Sequence, residues 1–178
     1  MPDVRPARLA VLTVSDRASR GEYRVRGGPA AEDWLRAMII TPIEVLRRIV
    51  PDGAESVAAA LTDLADGWGA DLILVTGGTG PAPRDRTPEA LAAVIDFDLP
   101  GFGEAMRAAS LAEVPTAILS RQGAGARGRC LIVTLPGNPR AIGTCLTAVF
   151  AAVPYCLDLI GAARIETDPA RIRAFRPA

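Results

Sequence analysis

The stretch Leu72 to Ala90, LILVTGGTGPAPRDRTPEA, runs from a short apolar segment through a glycine-rich turn to an Arg-Asp pair and a proline-started helix. Leu72 to Val75 is continuous and apolar, the pattern of a strand covered on both faces in a parallel sheet, and it must end at Thr76. Gly77, Gly78 and Gly80 free the backbone for left-handed conformations and let its N–H groups lie close to an anion. Thr87 is placed to cap the helix that follows, with Pro88 in its first turn and Glu89 complementing the positive end of the dipole. The spacing therefore predicts a phosphate-binding loop. A tight strand-to-helix turn without a ligand is the alternative, but such a turn does not need so long a polar loop. Arg84 and Asp85 supply a guanidinium for an anion and a carboxylate for a metal ion. The P-loop pattern fails because no lysine follows Gly80, and the dinucleotide fingerprint GxGxxG is missing too.

The rest of the chain constrains this chemistry. A composition of 49% hydrophobic but only 4% aromatic residues, with 17 glycines, indicates a core of Ala, Val, Leu and Ile in an α/β fold. At 178 residues the expectation is one domain over 1–178, with its core at about 8–160 and peripheral termini, Met1 to Ala7 and Arg164 to Ala178. The net charge of zero gives no reason to expect nucleic acid or a membrane surface as a partner. The chain has no histidine, and all 20 of its basic residues are arginine. That removes Schiff-base chemistry, a histidine general base and histidine-ligated zinc. Cys130, Cys145 and Cys156 match no zinc or CxxC spacing and sit in apolar contexts, so they read as buried structural thiols. No signal peptide and no apolar run of membrane length is apparent, which points to the cytoplasm.

Strands and helices alternate. Leu9 to Val14, Ile43 to Ile49, Leu72 to Val75, Thr116 to Leu119 and Cys130 to Leu135 read as strands. Pro29 to Ile40, Ala54 to Asp66, Pro88 to Ile95, Gly103 to Ala112 and Pro139 to Ala152 read as helices. The alternation predicts three layers, a mostly parallel sheet with helices on both faces. Polar clusters fall after the strands: Ser15-Asp16-Arg17, Pro51-Asp52, Thr76 to Gly80, Ser120-Arg121, and Pro136-Gly137-Asn138-Pro139. Ligands of open α/β sheets bind beyond the carboxyl ends of the strands, so these turns are expected to share one site. Asp52 also reads as a turn residue, and Asn138-Pro139 as a helix start. The segment Glu22 to Gly28, EYRVRGG, reads as a flap over the site or as an ordinary exposed loop.

These residues resemble the molybdopterin adenylyltransferases of molybdenum-cofactor biosynthesis, the MogA/MoaB family, whose fold recurs in the G domain of gephyrin. The resemblance spans nearly the whole chain. It rests on TVSDRAS at Thr13 to Ser19, VPD at Val50 to Asp52, TGGTGPAPRDRTPEA at Thr76 to Ala90, PGFGEAMR at Pro100 to Arg107, AILSR at Ala117 to Arg121 and LPGNPRA at Leu135 to Ala141. VPYCLDLI and the ETDP and FRP segments bring it closer to the MogA branch. It implies a molybdopterin-binding fold, ATP with Mg²⁺ and molybdopterin as ligands, and a homotrimer. It further implies AMP transfer from ATP to the terminal phosphate of molybdopterin, releasing pyrophosphate and leaving a product ready for molybdate insertion. The family's two important carboxylates fall on Asp52 and Asp85, both candidate metal ligands, while Val25 and Gly53 stand where the family often carries acids.

The nucleophile so implied, a phosphate oxygen already ionised near neutral pH, needs no strong protein base, so the missing histidine and lysine cease to be an obstacle. What the reaction needs is screening of two anions and of the departing pyrophosphate. Asp85 with Asp52 is expected to hold Mg²⁺, and the TGGTG amides, Ser15 and Arg84 to position anionic groups. Pro136 to Pro139 is expected to hold the pterin or its phosphate. A non-catalytic pterin-binding or scaffold protein, a molybdate insertase and a nucleotide-binding regulator are the rival readings.

Overall fold

The computed structural model describes residues 5–178, and in it Leu72–Thr76 forms the strand β3, buried at every position. Its position explains the continuous apolar run. β1 (Ala7–Val14) and β6 (Cys130–Leu135) flank it in parallel, pairing Leu9 and Leu131 respectively with Leu72. β2 (Ile43–Val50) lies parallel outside β1. As an edge strand with a neighbour on one side only, it has no fully buried position. The six-stranded sheet has the order β2-β1-β3-β6-β5-β4, in which β4 (Phe97–Asp98) and β5 (Ala124–Arg127) are antiparallel additions beyond β6.

The helices form two outer layers, as the alternation implied. α2 (Gly27–Met38), α5 (Pro100–Leu111), α6 (Pro139–Val149) and α7 (Val153–Leu159) cover one face of the sheet. α3 (Ala54–Thr62) and α4 (Thr87–Val94) cover the other. β1 shows how one strand serves both: Leu9 and Val11 join the first core, Ala10 and Leu12 the second. The four-residue α1 (Asp16–Ser19) follows β1 directly.

Several boundaries depart from the expectations. Thr116 to Leu119 is no strand but part of a 3-10 turn, Pro115–Leu119, with no buried residue. Pro115 has no N–H to offer a ladder and is preset for a helical first turn. The strand lies instead in Ala124–Arg127, whose AGAR sequence has little intrinsic β preference. It forms because a hairpin at Gly128, φ +52°, lays it against β6. α2 begins at Gly27 rather than Pro29, and α5 at Pro100 rather than Gly103. α3 stops at Thr62 and continues as a π-turn over Asp63–Gly67. The last helix passes through a 3-10 turn, Phe150–Ala152, into α7, giving a helical stretch Pro139–Leu159 of 21 residues that contains an 18-residue window with a mean hydropathy of 1.6. By length and composition alone that is enough to cross a membrane, which corrects the expectation that no such segment exists. Its inward residues, including Ile142, Leu146, Val149, Val153 and Leu157, are buried in the first core.

The C-terminal segment is tied to its own chain. Ile39 and Thr167 form an isolated bridge, and Arg176 pairs with Asp158 and Glu166. At the other end of β1 and β3, Asp71 is only 2% exposed. It receives both terminal nitrogens of Arg5 at 2.8 Å and the backbone N–H groups of Arg8 and Ala163.

Candidate functional site

β2 and β3 lie on opposite sides of β1, so the connections leaving the carboxyl ends of β1 and β3 diverge at that point. This is the switch point at which open α/β sheets form a crevice. The turns after β1 and β2 are interlocked. The Asp16 N–H donates to Asp52 Oδ2 at 2.8 Å, and the Asp52 N–H donates back to Asp16 Oδ1 at 3.1 Å. Ser15 caps α1, its hydroxyl accepting the Ala18 N–H, so it too is committed inside the chain.

Arg84 reaches this pair from the loop after β3. Its Nε and Nη2 donate to the two Asp16 carboxylate oxygens at 2.9 and 2.7 Å, and Nη2 also donates to the Asp52 carbonyl at 2.8 Å. The guanidinium beside Asp16 holds that carboxyl below its usual range. Arg84 is therefore a strut joining three turns rather than a free anion hook.

The glycine loop is shaped by close packing. Gly77 (φ +98°) leaves room for a Cβ only 2.5 Å from the Val14 carbonyl oxygen, and at Gly78 (φ +67°) a Cβ would lie 2.3 Å from Thr87 Oγ1. Only glycine meets both demands. Thr87 does not cap α4, as its position suggested; Arg86 is the N-cap residue, with no side-chain cap. The Thr87 hydroxyl instead donates to the Gly77 carbonyl at 2.9 Å, and its N–H to the Gly78 carbonyl. The loop needed a tie more than the helix needed a cap. The Gly77 N–H is likewise committed, to Leu135 O at 3.0 Å. Among the described residues the amides of Gly78, Thr79 and Gly80 find no acceptor.

Ser120-Arg121 follows a 3-10 turn and not a strand, yet it reaches the loop. The Arg121 N–H donates to Thr79 O at 2.7 Å, and Ser120 Oγ lies 3.4 Å from Thr79 Oγ1. Arg121 braces the loop with its whole guanidinium, donating to Gly80 O, Asp85 O and Glu89 Oε1. That contact holds the Glu89 carboxyl below its usual range. Pro136 to Pro139 is adjacent through its backbone: a Cβ on Gly137 would be 3.7 Å from the Gly77 Cα, and one on Gly27 would be 2.7 Å from Gly137 O. Asn138 caps α6 by accepting the Arg140 N–H. Thr76, the buried end of β3, completes the junction. Of the possible flap, Gly27 and Gly28 belong to α2, while Arg17 stacks on Tyr23.

Two cavities flank this junction. One, of about 460 Å³, is walled by Asp52, Gly53, Glu55, Ser56, Arg84 and Arg86. The other, of about 280 Å³, includes Ser110, Ser120, Gln122, Pro136, Asn138 and Arg140. Asp85 lines neither. One of its carboxylate oxygens accepts the Ala82 N–H at 3.2 Å, against Gly80, and the other accepts nothing among the described residues. Asp52 likewise keeps one oxygen without a donor. Sequence reasoning overlooked Gln122, which is 2% exposed with its Oε1 lacking any partner. A buried acceptor in that state costs about 1–3 kcal/mol. Its neighbours Ser120-Arg121 gave the only hint. Arg107, which donates to the Ser120 and Gln122 carbonyls, was also missed as a support. The three thiols are free and held up in pKa by burial, Cys130 to about 12.

A sheet of this order with a glycine loop at its switch point defines an open α/β class, with loop amides free to meet an acceptor. Comparison makes the class specific: the chain belongs to the family described as "Probable molybdopterin binding domain", whose model matches residues 10–155. It is 48% identical over 169 residues to a molybdopterin adenylyltransferase of Helicobacter pylori, covering 95% of this chain and 96% of that one. To the molybdopterin adenylyltransferase of Escherichia coli it is 45% identical over 182 residues, covering 96% and 93%. Among solved structures, the Mog protein of Mycobacterium ulcerans superposes with a TM-score of 0.80 at 36% identity, covering 88% of this chain and 98% of that one. MoaB of Thermus thermophilus gives 0.79 at 43% identity, covering 86% and 96%. The expected MogA/MoaB-like fold is thus borne out.

Proposed function

We propose that this chain, acting as one domain, is a molybdopterin adenylyltransferase: it transfers AMP from ATP to the terminal phosphate of molybdopterin and releases pyrophosphate. The observation that carries the reading is near-full-length identity of 45–48% to relatives bearing that name. The interlocked Asp16, Asp52 and Arg84 turns beside the glycine loop support it.

A phosphate oxygen of molybdopterin attacks the α-phosphorus of ATP, and the bond from that phosphorus to the β-phosphate oxygen breaks. The protein's task is to align two anions and stabilise charge on the leaving pyrophosphate. Gly78, Thr79 and Gly80 offer amides for phosphate oxygens, Ser120 and Pro136 to Pro139 shape the pterin side, and Asp52 and Arg84 organise the nucleotide side. Among the described residues no group of three or more metal-binding side chains exists. Mg²⁺ accompanying a nucleotide needs only one or two carboxylates, and the unpartnered oxygens of Asp52 and Asp85 suit that role. When bound, Mg²⁺ neutralises charge on the phosphates.

Assembly as a homotrimer, passage of the adenylylated product to a molybdate insertase and a cytoplasmic setting belong to the same reading; the setting accords with use of ATP and with three unpaired thiols. The test is pyrophosphate release and adenylylated pterin formation from ATP, Mg²⁺ and molybdopterin. Asp85→Asn should lower the rate on the order of a hundredfold. Near-normal turnover by the folded variant removes Asp85 from the mechanism, and absence of any adenylylated pterin from the unaltered protein removes the function.

A further inference from the structure

The nucleotide-side groove holds two arginines in different states. Arg84 is saturated by both oxygens of Asp16 and by the Asp52 carbonyl. Arg86 is not. Its guanidinium makes no hydrogen bond among the described residues, and its one carboxylate contact is Glu89 at 3.6 Å. Glu89 already has a closer partner, Arg121 at 2.6 Å. Arg86 thus enters the groove wall as a guanidinium with its donors uncommitted. The other ionisable groups of that wall are Asp52, Glu55 and Arg84, and the Ser56 hydroxyl is turned to the Pro51 and Gly53 carbonyls.

We propose that Arg86 is the guanidinium that grips the pyrophosphate portion of ATP in this groove, while Arg84 serves as a strut for the Asp16 and Asp52 turns. The inference rests on the adenylyltransferase reading. Donor capacity supports it: Arg84 is taken up by Asp16, so Arg86 is the one guanidinium of the wall with spare donors, and because Asp52 and Glu55 leave the wall net negative, a triphosphate enters only together with its cation. Asp52, already placed as a carboxylate for the cation, lies on the same wall, and Arg86 suits the triphosphate oxygens, which guanidinium donors match in pairs. A nucleoside monophosphate lacks the group that Arg86 would hold.

The experiment compares the unaltered protein with Arg86→Ala, Arg86→Lys and Arg84→Ala in steady-state adenylyl transfer, with inorganic pyrophosphate and AMP as separate inhibitors. Arg86→Ala should raise the KM for ATP and the inhibition constant for pyrophosphate about tenfold, the loss expected for one charge-assisted contact in a partly exposed groove. AMP inhibition, the KM for molybdopterin and the melting temperature should stay put. Arg86→Lys should recover part of the loss, and added salt should erode the difference. Arg84→Ala should instead lower the melting temperature and kcat. An unaltered pyrophosphate inhibition constant in Arg86→Ala overturns the proposal, as does a loss that extends equally to AMP. Lack of transfer by the unaltered protein overturns the parent reading, while pyrophosphate binding measured directly by calorimetry still decides whether Arg86 holds it.

Discussion

Gly78→Ala examines the central feature of the site, a loop held by packing. At φ +67° an alanine carries a left-handed cost of about 1–2 kcal/mol. Its Cβ would also stand 2.3 Å from Thr87 Oγ1, so the hydroxyl must leave. Leaving breaks the 2.9 Å bond to the Gly77 carbonyl, worth about 0.5–1.5 kcal/mol. The single variant should therefore lose roughly 1.5–3.5 kcal/mol, or about 3–14 °C in melting temperature at 2–4 °C per kcal/mol. Thr87→Ala removes the obstacle beforehand. Added to it, Gly78→Ala should then cost the backbone part and a small adjustment at two contacts present in either background, Val14 Cγ1 and the Cβ of residue 87, each 3.3 Å away. Urea unfolding of the four proteins gives the coupling directly, with an expected value near 1 kcal/mol in the sense that the double variant is less damaged than the sum. Additivity within about 0.5 kcal/mol refutes the idea that this hydroxyl and the missing Cβ compete for one space. In adenylyl transfer the KM for ATP should rise in Gly78→Ala, because the loop's free amides move with it.

Acid stability gives a second test. Burial raises the Asp71 carboxyl, but hydrogen bonds from Arg5, Arg8 and Ala163 prevail and hold it below its ordinary 3.8. A depressed folded pKa means that the contribution is full above 3.8 and is lost as pH falls through the lower folded value. Asp71→Asn should thus flatten the dependence of urea midpoints on pH in that acid window, and an unchanged slope argues against the contact. The thiols offer a third: Cys130, buried and pushed up to about 12, should resist alkylation in the native protein and react once urea unfolds it, as counted by mass spectrometry. Fast native labelling at Cys130 contradicts that burial.

Much of the architecture could be read from composition and period. The apolar run at Leu72 identified the central strand because both its faces are covered, and the alternation of elements indicated a layered α/β sheet. The antiparallel edge was hidden. Ala124–Arg127 is a strand through its placement against β6, whereas Thr116 to Leu119, with better strand residues, follows Pro115 into a turn. Local propensity favoured the wrong segment because pairing partners are not local.

Residue types and their order determined the chemistry of the site: glycines where a loop must fold tightly, arginine as the only strong cation, and carboxylates at Asp16, Asp52 and Asp85. Tertiary structure decided what each group is free to do. Ser15, Arg84 and Arg121 read as ligand contacts in sequence and Thr87 as a helix cap; Ser15 proves tied within its own turn, and Arg84, Thr87 and Arg121 to neighbouring segments. Gln122 and Arg86 drew no attention there and turn out to hold unmet capacity. A sequence supplies donors, acceptors and charges, but whether a group is satisfied depends on partners dozens of residues away, which only the folded chain brings within hydrogen-bonding distance.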